Sequence, residues 1–255
     1  MDPAPSIGIA LAFVVMVLFN ILEGGNPLGI LLFPPMLLVF GVTILISIAG
    51  SSTQDAKNIP KSLKLAFAHK VAPAADLVPT VVTLAEKARR EGLLALEDQL
   101  RDIDDPFLVK GVTMAIDGTD PEELREILET EVDAKRAEYK QYAKFFADCG
   151  GYAPTIGIVG TVMGLVHVLE QLSTPEALGP LIAAAFVATL WGVLSANVIW
   201  LPIASRIKRV SELETSRMEL AVEGIAAIQA GSNPRLVAEK LRSLLPSDQQ
   251  SAEAA

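Results

Sequence analysis

The sequence predicts an all-α integral membrane protein with four transmembrane helices. A helical cytoplasmic domain is expected between the second and third helices, and the third and fourth are expected to extend into the cytoplasm. Three observations carry this expectation. The chain has 255 residues, 51% of them hydrophobic and only 20% charged, and the charges are unevenly spread. Long apolar stretches carry no charge. All 21 Lys and Arg residues fall in two segments, 14 in residues 51–148 and 7 after Ser205.

A bilayer core about 30 Å thick needs a helix of roughly 20 apolar residues. Stretches at about 4–22, 27–50, 151–172 and 178–205 meet that requirement, and together they bound two hairpins, residues 1–50 and 149–205. The first stretch lacks the basic leader and small-residue cleavage site of a signal peptide, so it is read as a retained helix. Glu23-Gly24-Gly25-Asn26-Pro27 reads as a tight turn between the first two helices. The short loops near 23–26 and 173–177 hold no Lys or Arg, so the basic segments lie inside and both termini are cytoplasmic. The expected location is the bacterial inner membrane, which the chain would cross several times.

Residues 51–148 read as helical. Val81, Leu84, Ala88, Gly92, Leu96, Leu100 and Ile103 recur at helical spacing and give one apolar face. Charges from Glu86 to Asp102 form the other face, either a solvated surface or a docking surface for a charged partner. Asp120-Pro121-Glu122-Glu123 is a helix start, with a cap, a proline at the first position and acids at the positive end. That helix is expected to run through Phe146 into the third span. Thr174-Pro175-Glu176 repeats the cap pattern before the fourth, which continues as a cytoplasmic extension over 206–245. Residues 246–255, rich in Ser, Gln, Glu and Ala, read as a disordered tail.

The composition excludes several functions. The net charge is −9 and no basic run stands out, so no nucleic-acid partner is expected. Cys149 is the only cysteine, His69 and His167 lie far apart, and no metal-ligand spacing appears. Phosphate-binding glycine loops and nucleophile elbows are missing, so the chain is not read as an enzyme and no cofactor is expected.

Attention therefore falls on polar and helix-breaking residues inside the spans. Thr161 and Thr189 lie within the bilayer, where a threonine hydroxyl ordinarily bonds back to its own helix. Gly160 and Gly164 form a small-xxx-small pair suited to close helix packing. Pro154 opens the third span. Pro202, near the inner end of the fourth, frees the Val198 carbonyl and allows either a hinge or a tolerated kink. No Asp or Glu lies in the central part of any span. If the protein moves cations, the essential carboxylate comes from a second subunit.

Three segments carry a resemblance. YAPTIGIVGTVMGLVH (152–167) resembles the third membrane helix of the MotA/PomA family of flagellar motor stator subunits. ATLWGVLSAN (188–197), followed by LPIA (201–204), resembles the fourth. EKARREGLLALE (86–97) looks like the family's rotor-docking helix. The resemblance implies a stator A subunit, five copies of which surround two B-type subunits that each bring a transmembrane helix carrying an Asp. Passage of H+ or Na+ would then be converted into torque on the rotor's switch complex. By the same resemblance, Pro154, Thr161, Thr189 and Pro202 belong to the ion path and its coupling. Thr189 would face the partner's aspartate, and both threonines are candidate Na+ ligands. Arg89 and Glu97, helped by Arg90, would engage rotor charges. The coupling ion stays open. The alternative is a proton channel of the ExbB/TolQ type energising an envelope process, and the apolar hairpin over 4–50 speaks against it. A membrane scaffold without transport is a further reading.

Overall fold

The computed structural model describes residues 3–246, which form helices joined by short turns. Three helices are long and apolar enough to cross a bilayer: α1, Ala4–Leu22, and two others spanning Pro121–Glu170 and Pro175–Gln229. Phe33–Ala49, here α2, is equally apolar but shorter. The prolines explain where it starts. Pro27 opens a 3-10 turn, Pro27–Ile30, whose entry is capped by the Asn26 side chain accepting from the Leu28 amide at 3.0 Å. Pro34 and Pro35 then fit only the first turn of a helix, where no backbone donor is needed. The stretch read as a second span is thus a 3-10 turn followed by a helix, where the sequence suggested one helix over 27–50. Inside α2, residues Leu37–Val42 adopt a π-helical winding.

The chain forms two compact units, Met1–Lys70 with Tyr139–Arg209 and Val71–Glu138 with Val210–Ala255. In the first unit, Thr53–Ala68 forms α3. Its start is a full capping box, in which Ser52 accepts from the Asp55 amide while the Asp55 carboxylate accepts from the Ser52 amide. Hydrogen bonds from Ser52 and Gln141 hold the Asp55 carboxyl below its usual range. The same unit contains most of α6, Pro121–Glu170, and the first part of α7, Pro175–Gln229. Tyr139, Tyr142, Phe146, Cys149, Ile203 and Ile207 pack into one core with Ala66 of α3. A second, near the turn between α1 and α2, holds Val39, Val187, Trp191 and Leu194. Trp191 donates to the Ile30 carbonyl at 2.6 Å and lies near Phe13 and Phe40.

In the second unit, Leu77–Glu91 forms α4, Pro106–Ile116 forms α5 and Pro234–Leu244 forms α8. Val81, Leu84, Leu96, Leu108, Leu128, Ile225 and Leu241 meet in its core. The helical period from Val81 to Ile103 does not continue as one helix. Gly92 takes φ 87, and the chain turns there into a 3-10 segment, Leu93–Leu96, and a short turn of helix, Glu97–Leu100. Leu96 and Ile103 still reach the core, but from a separate segment. Asp105 caps α5 by accepting from the Phe107 and Leu108 amides, and it also pairs with Arg217 at 3.1 Å.

Asp120 caps α6 by accepting from the Glu122 amide at 2.9 Å, and the helix continues unbroken for 50 residues through Pro154. Thr174 behaves differently from the expected cap. It precedes α7, but its side chain makes no capping hydrogen bond. Its backbone sits at φ −124, ψ 77, so the proline at the first position and Glu176 define that start instead. The tail beyond 246 lies outside the described residues.

Candidate functional site

Small residues set the site by bringing α6 and α7 into backbone contact. A Cβ on Gly192 would lie 2.7 Å from the Ala153 carbonyl oxygen and 2.9 Å from the Gly157 Cα. One turn on, a Cβ on Gly160 would lie 2.8 Å from the Ala188 Cβ, and a turn further one on Gly164 would lie 2.7 Å from the Ala185 Cβ. Such a seam is the usual geometry of small residues between membrane helices. Gly160 and Gly164 therefore do what the sequence suggested, and Gly157 and Gly192 make the closest approach.

That approach puts two hydroxyls together. Thr161 Oγ1 lies 2.5 Å from Thr189 Oγ1 and 2.9 Å from the Ala185 carbonyl oxygen of the facing helix. It also reaches the Gly157 carbonyl of its own helix at 3.2 Å, and Thr189 reaches the same carbonyl at 3.4 Å. Back-bonding to the home helix is thus only part of the arrangement. Four oxygens, two of them carbonyl, share two hydroxyl protons. In a medium without water, such a cluster offers lone pairs to a cation more readily than donors to an anion.

Three further polar groups of these spans bond locally. Thr155 donates to Tyr152 O, Ser195 to Gly192 O and Asn197 to Val193 O. His167 lies 3.2 Å from Glu170 near the helix end, and both are exposed. Ser47 of α2 touches Cys149 at 3.2 Å, both buried. Among the described residues, no group of three or more His, Cys, Asp or Glu could hold a metal ion.

The two prolines differ in what surrounds them. Pro154 sits inside continuous α-helix, where it removes the amide that would bond the Gly150 carbonyl. Pro202 lies in the turn after a π-helical stretch, Ala196–Trp200. Its ring crowds the Val198 carbonyl, and the wider winding accommodates that crowding. The π stretch was not foreseen, although Pro202 was its signal. For the π stretch in α2 no residue pattern gives a comparable warning.

A row of side chains along α7, Phe186, Leu190, Val193 and Asn197, remains exposed, and so does a row on α6 that includes Val159, Val162, Met163 and Val166. Apart from Asn197 these faces are apolar, and among the described residues they stand exposed.

In the second unit, Arg89 and Arg90 stand exposed in the last turn of α4, with Arg90 3.7 Å from Glu91. Glu97 is exposed at the start of the short helix beyond Gly92. The structure brings these charges to one helix–turn–helix corner, with Leu94 72% exposed between them. Away from that corner, Glu223 accepts from both Arg125 at 2.7 Å and Lys240 at 2.6 Å. Burial pushes its carboxyl up, but the two cations outweigh burial and leave it below the ordinary range.

Three comparisons bear on this geometry. The profile of the MotA/TolQ/ExbB proton channel family matches residues 99–220. Motility protein A of Bacillus subtilis is 36% identical over 253 residues, covering 96% of this chain and 92% of that protein. Two solved structures superpose over nearly the whole chain. The MotAB structure from C. jejuni gives a TM-score of 0.93 at 31% identity, covering 97% of each chain. The flagellar MotAB stator complex from Bacillus subtilis gives 0.91 at 35% identity, covering 98% of each.

Proposed function

This chain belongs to the MotA/TolQ/ExbB proton channel family, and from that premise we propose how its site works as a stator. It is the A-type subunit of a flagellar motor stator, and with a B-type partner it forms the ion channel whose flow drives rotation. It is an integral protein of the inner membrane.

The observation that carries the reading of the site is the oxygen cluster of Thr161, Thr189, Gly157 and Ala185, set in spans that contain no central carboxylate. The partner's single membrane helix supplies an Asp and packs on the exposed rows of α6 and α7. A cation held by that carboxylate would find hydroxyl and carbonyl oxygens opposite, the donors that hard cations such as Na+ prefer; a proton would pass by the same carboxylate. Pro154 and Pro202 weaken the backbone on either side of the path, so occupancy of the carboxylate changes helix geometry. Five copies surround the B pair, both termini face the cytoplasm, and Arg89, Arg90 and Glu97 engage the rotor's switch complex. No bond-making chemistry is required of the chain, and it holds no cofactor.

The test is co-expression with the B-type partner in a host lacking its own stators, scoring swimming with and without sodium. Swimming only with sodium assigns Thr161 and Thr189 to a Na+ path, and sodium-independent swimming assigns the path to protons. An inserted complex that conducts ions but powers only an envelope process would overturn the stator assignment in favour of the ExbB/TolQ type.

A further inference from the structure

The helix α3 is tied at both ends to the places where membrane spans finish. It begins four residues after α2 ends at Ala49. Near its start, Asp55 accepts from Gln141 of α6 at 3.1 Å. Near its other end, the Ala66 carbonyl accepts from Arg206, one residue past the charge-free stretch of α7. The N-terminal helix α1 packs on it as well. A helix pinned between two span ends lies along the membrane surface, at headgroup level.

Its side chains are sorted for that position. Ser62 and Ala66 are buried against the spanning helices. Lys57, Lys61 and Lys64, four and three residues apart, form one row on the opposite side and are exposed. Leu63, 38% exposed, and Pro60 flank the row. Lys61 is held by the Tyr142 hydroxyl at 2.9 Å, whereas Lys57 and Lys64 have no carboxylate against them among the described residues. Between Gly50 and Lys70 the only acidic residue is Asp55, which the capping box and Gln141 already occupy. In a chain of net charge −9, this belt is locally basic.

We propose that α3 is an in-plane interfacial helix whose Lys57, Lys61 and Lys64 row binds the phosphates of anionic phospholipids. Basic residues within a Debye length of an anionic leaflet each add to membrane attraction, and a fixed row adds geometry to charge. Lys57 and Lys64 face away from the helices that bury Ser62 and Ala66, while Lys61 is held to Tyr142 between them, so the open ends of the row meet lipid around the complex. This inference rests on the membrane placement of the chain and not on torque generation.

The test uses the complete A–B complex reconstituted in vesicles of phosphatidylcholine doped with a labelled phosphatidylglycerol. Retention of the label by the purified complex is measured for the native chain and for Lys57→Gln/Lys64→Gln, which leaves the Lys61–Tyr142 bond in place. The native complex is expected to retain phosphatidylglycerol over phosphatidylcholine, and the double variant to lose about thirtyfold of that preference. Lys240→Gln, in the other unit, is expected to change nothing. Equal retention by native and double-variant complexes overturns the proposal. A double variant whose complex falls apart by native mass spectrometry also overturns it, by assigning the row to a contact between copies. Loss of preference with swimming unchanged upholds it separately from the stator reading.

Discussion

Thr161 and Thr189 share a hydrogen bond at 2.5 Å across the α6–α7 seam, and the carbonyl of Ala185 takes up Thr161 on its other side at 2.9 Å. On the proposed reading, the hydroxyl is the part of residue 161 that serves the ion path. Thr161→Ser is expected to keep swimming. Thr161→Val keeps the volume but loses the oxygen, and is expected to lose most swimming speed with insertion intact. Equal speeds for the two variants would remove residue 161 from the ion path.

The seam has no room for side chains. Gly192→Val would drive its Cβ into the Ala153 carbonyl, a backbone atom that cannot swing aside. Overpacking of this kind costs about 1–3 kcal/mol. The thermal midpoint of the complex in detergent is expected to fall, while Gly179→Val, which meets nothing within 4 Å, is expected to leave it unchanged.

Pro202→Ala restores a backbone donor for the Val198 carbonyl directly after the π stretch. The helix is then free to wind as ordinary α-helix. Swimming is expected to fail although the protein inserts, and amide exchange over 196–202 should slow. Normal swimming would show that the winding has no part in coupling.

On the proposed reading, charge at the α4 corner serves docking and not conduction. Arg89→Glu is expected to cut recruitment of fluorescent stators to motors several-fold. Ion conduction by a constitutively open complex is expected to stay at the native level. A conduction defect would place Arg89 elsewhere in the mechanism.

Glu223 gives a pH signature. Its carboxyl titrates lower in the folded chain than the ordinary 4.5, because Arg125 and Lys240 favour the charged form over the opposing effect of burial. A depressed acid contributes its full stability above the unfolded value and loses it as pH falls through the folded one. The native chain should therefore lose stability as pH drops below about 4.5, and Glu223→Gln should flatten that slope while lowering stability at pH 7. Parallel acid-unfolding curves for the two would contradict the assignment.

Much of this was legible from residue order alone, for reasons that differ by element. Charge-free runs announce membrane helices because a lone charge in lipid is costly, and Asp120-Pro121 announces the start of α6 because cap and proline act locally. The α4 segment misled because apolar spacing continues through Gly92 on paper, whereas the backbone turns there into a region open chiefly to glycine. Thr174 misled because a capping residue type is not a capping conformation. The contact of Thr161 with Ala185 and Thr189 was hidden because it depends on the register of two helices 24 and 28 residues apart in sequence. The Trp191–Ile30 bond was hidden likewise, across a separation of 161.

The π windings of α2 and α7 have a further meaning for how these helices tolerate displacement. A π turn carries one more residue per turn than its neighbours need, so each helix holds a surplus residue without a loop to house it. Passing that surplus along the axis by one position turns the intervening side chain by about 100° while every other hydrogen bond re-forms. Such a helix has slack, as a rope does, within the stretch that crosses the membrane.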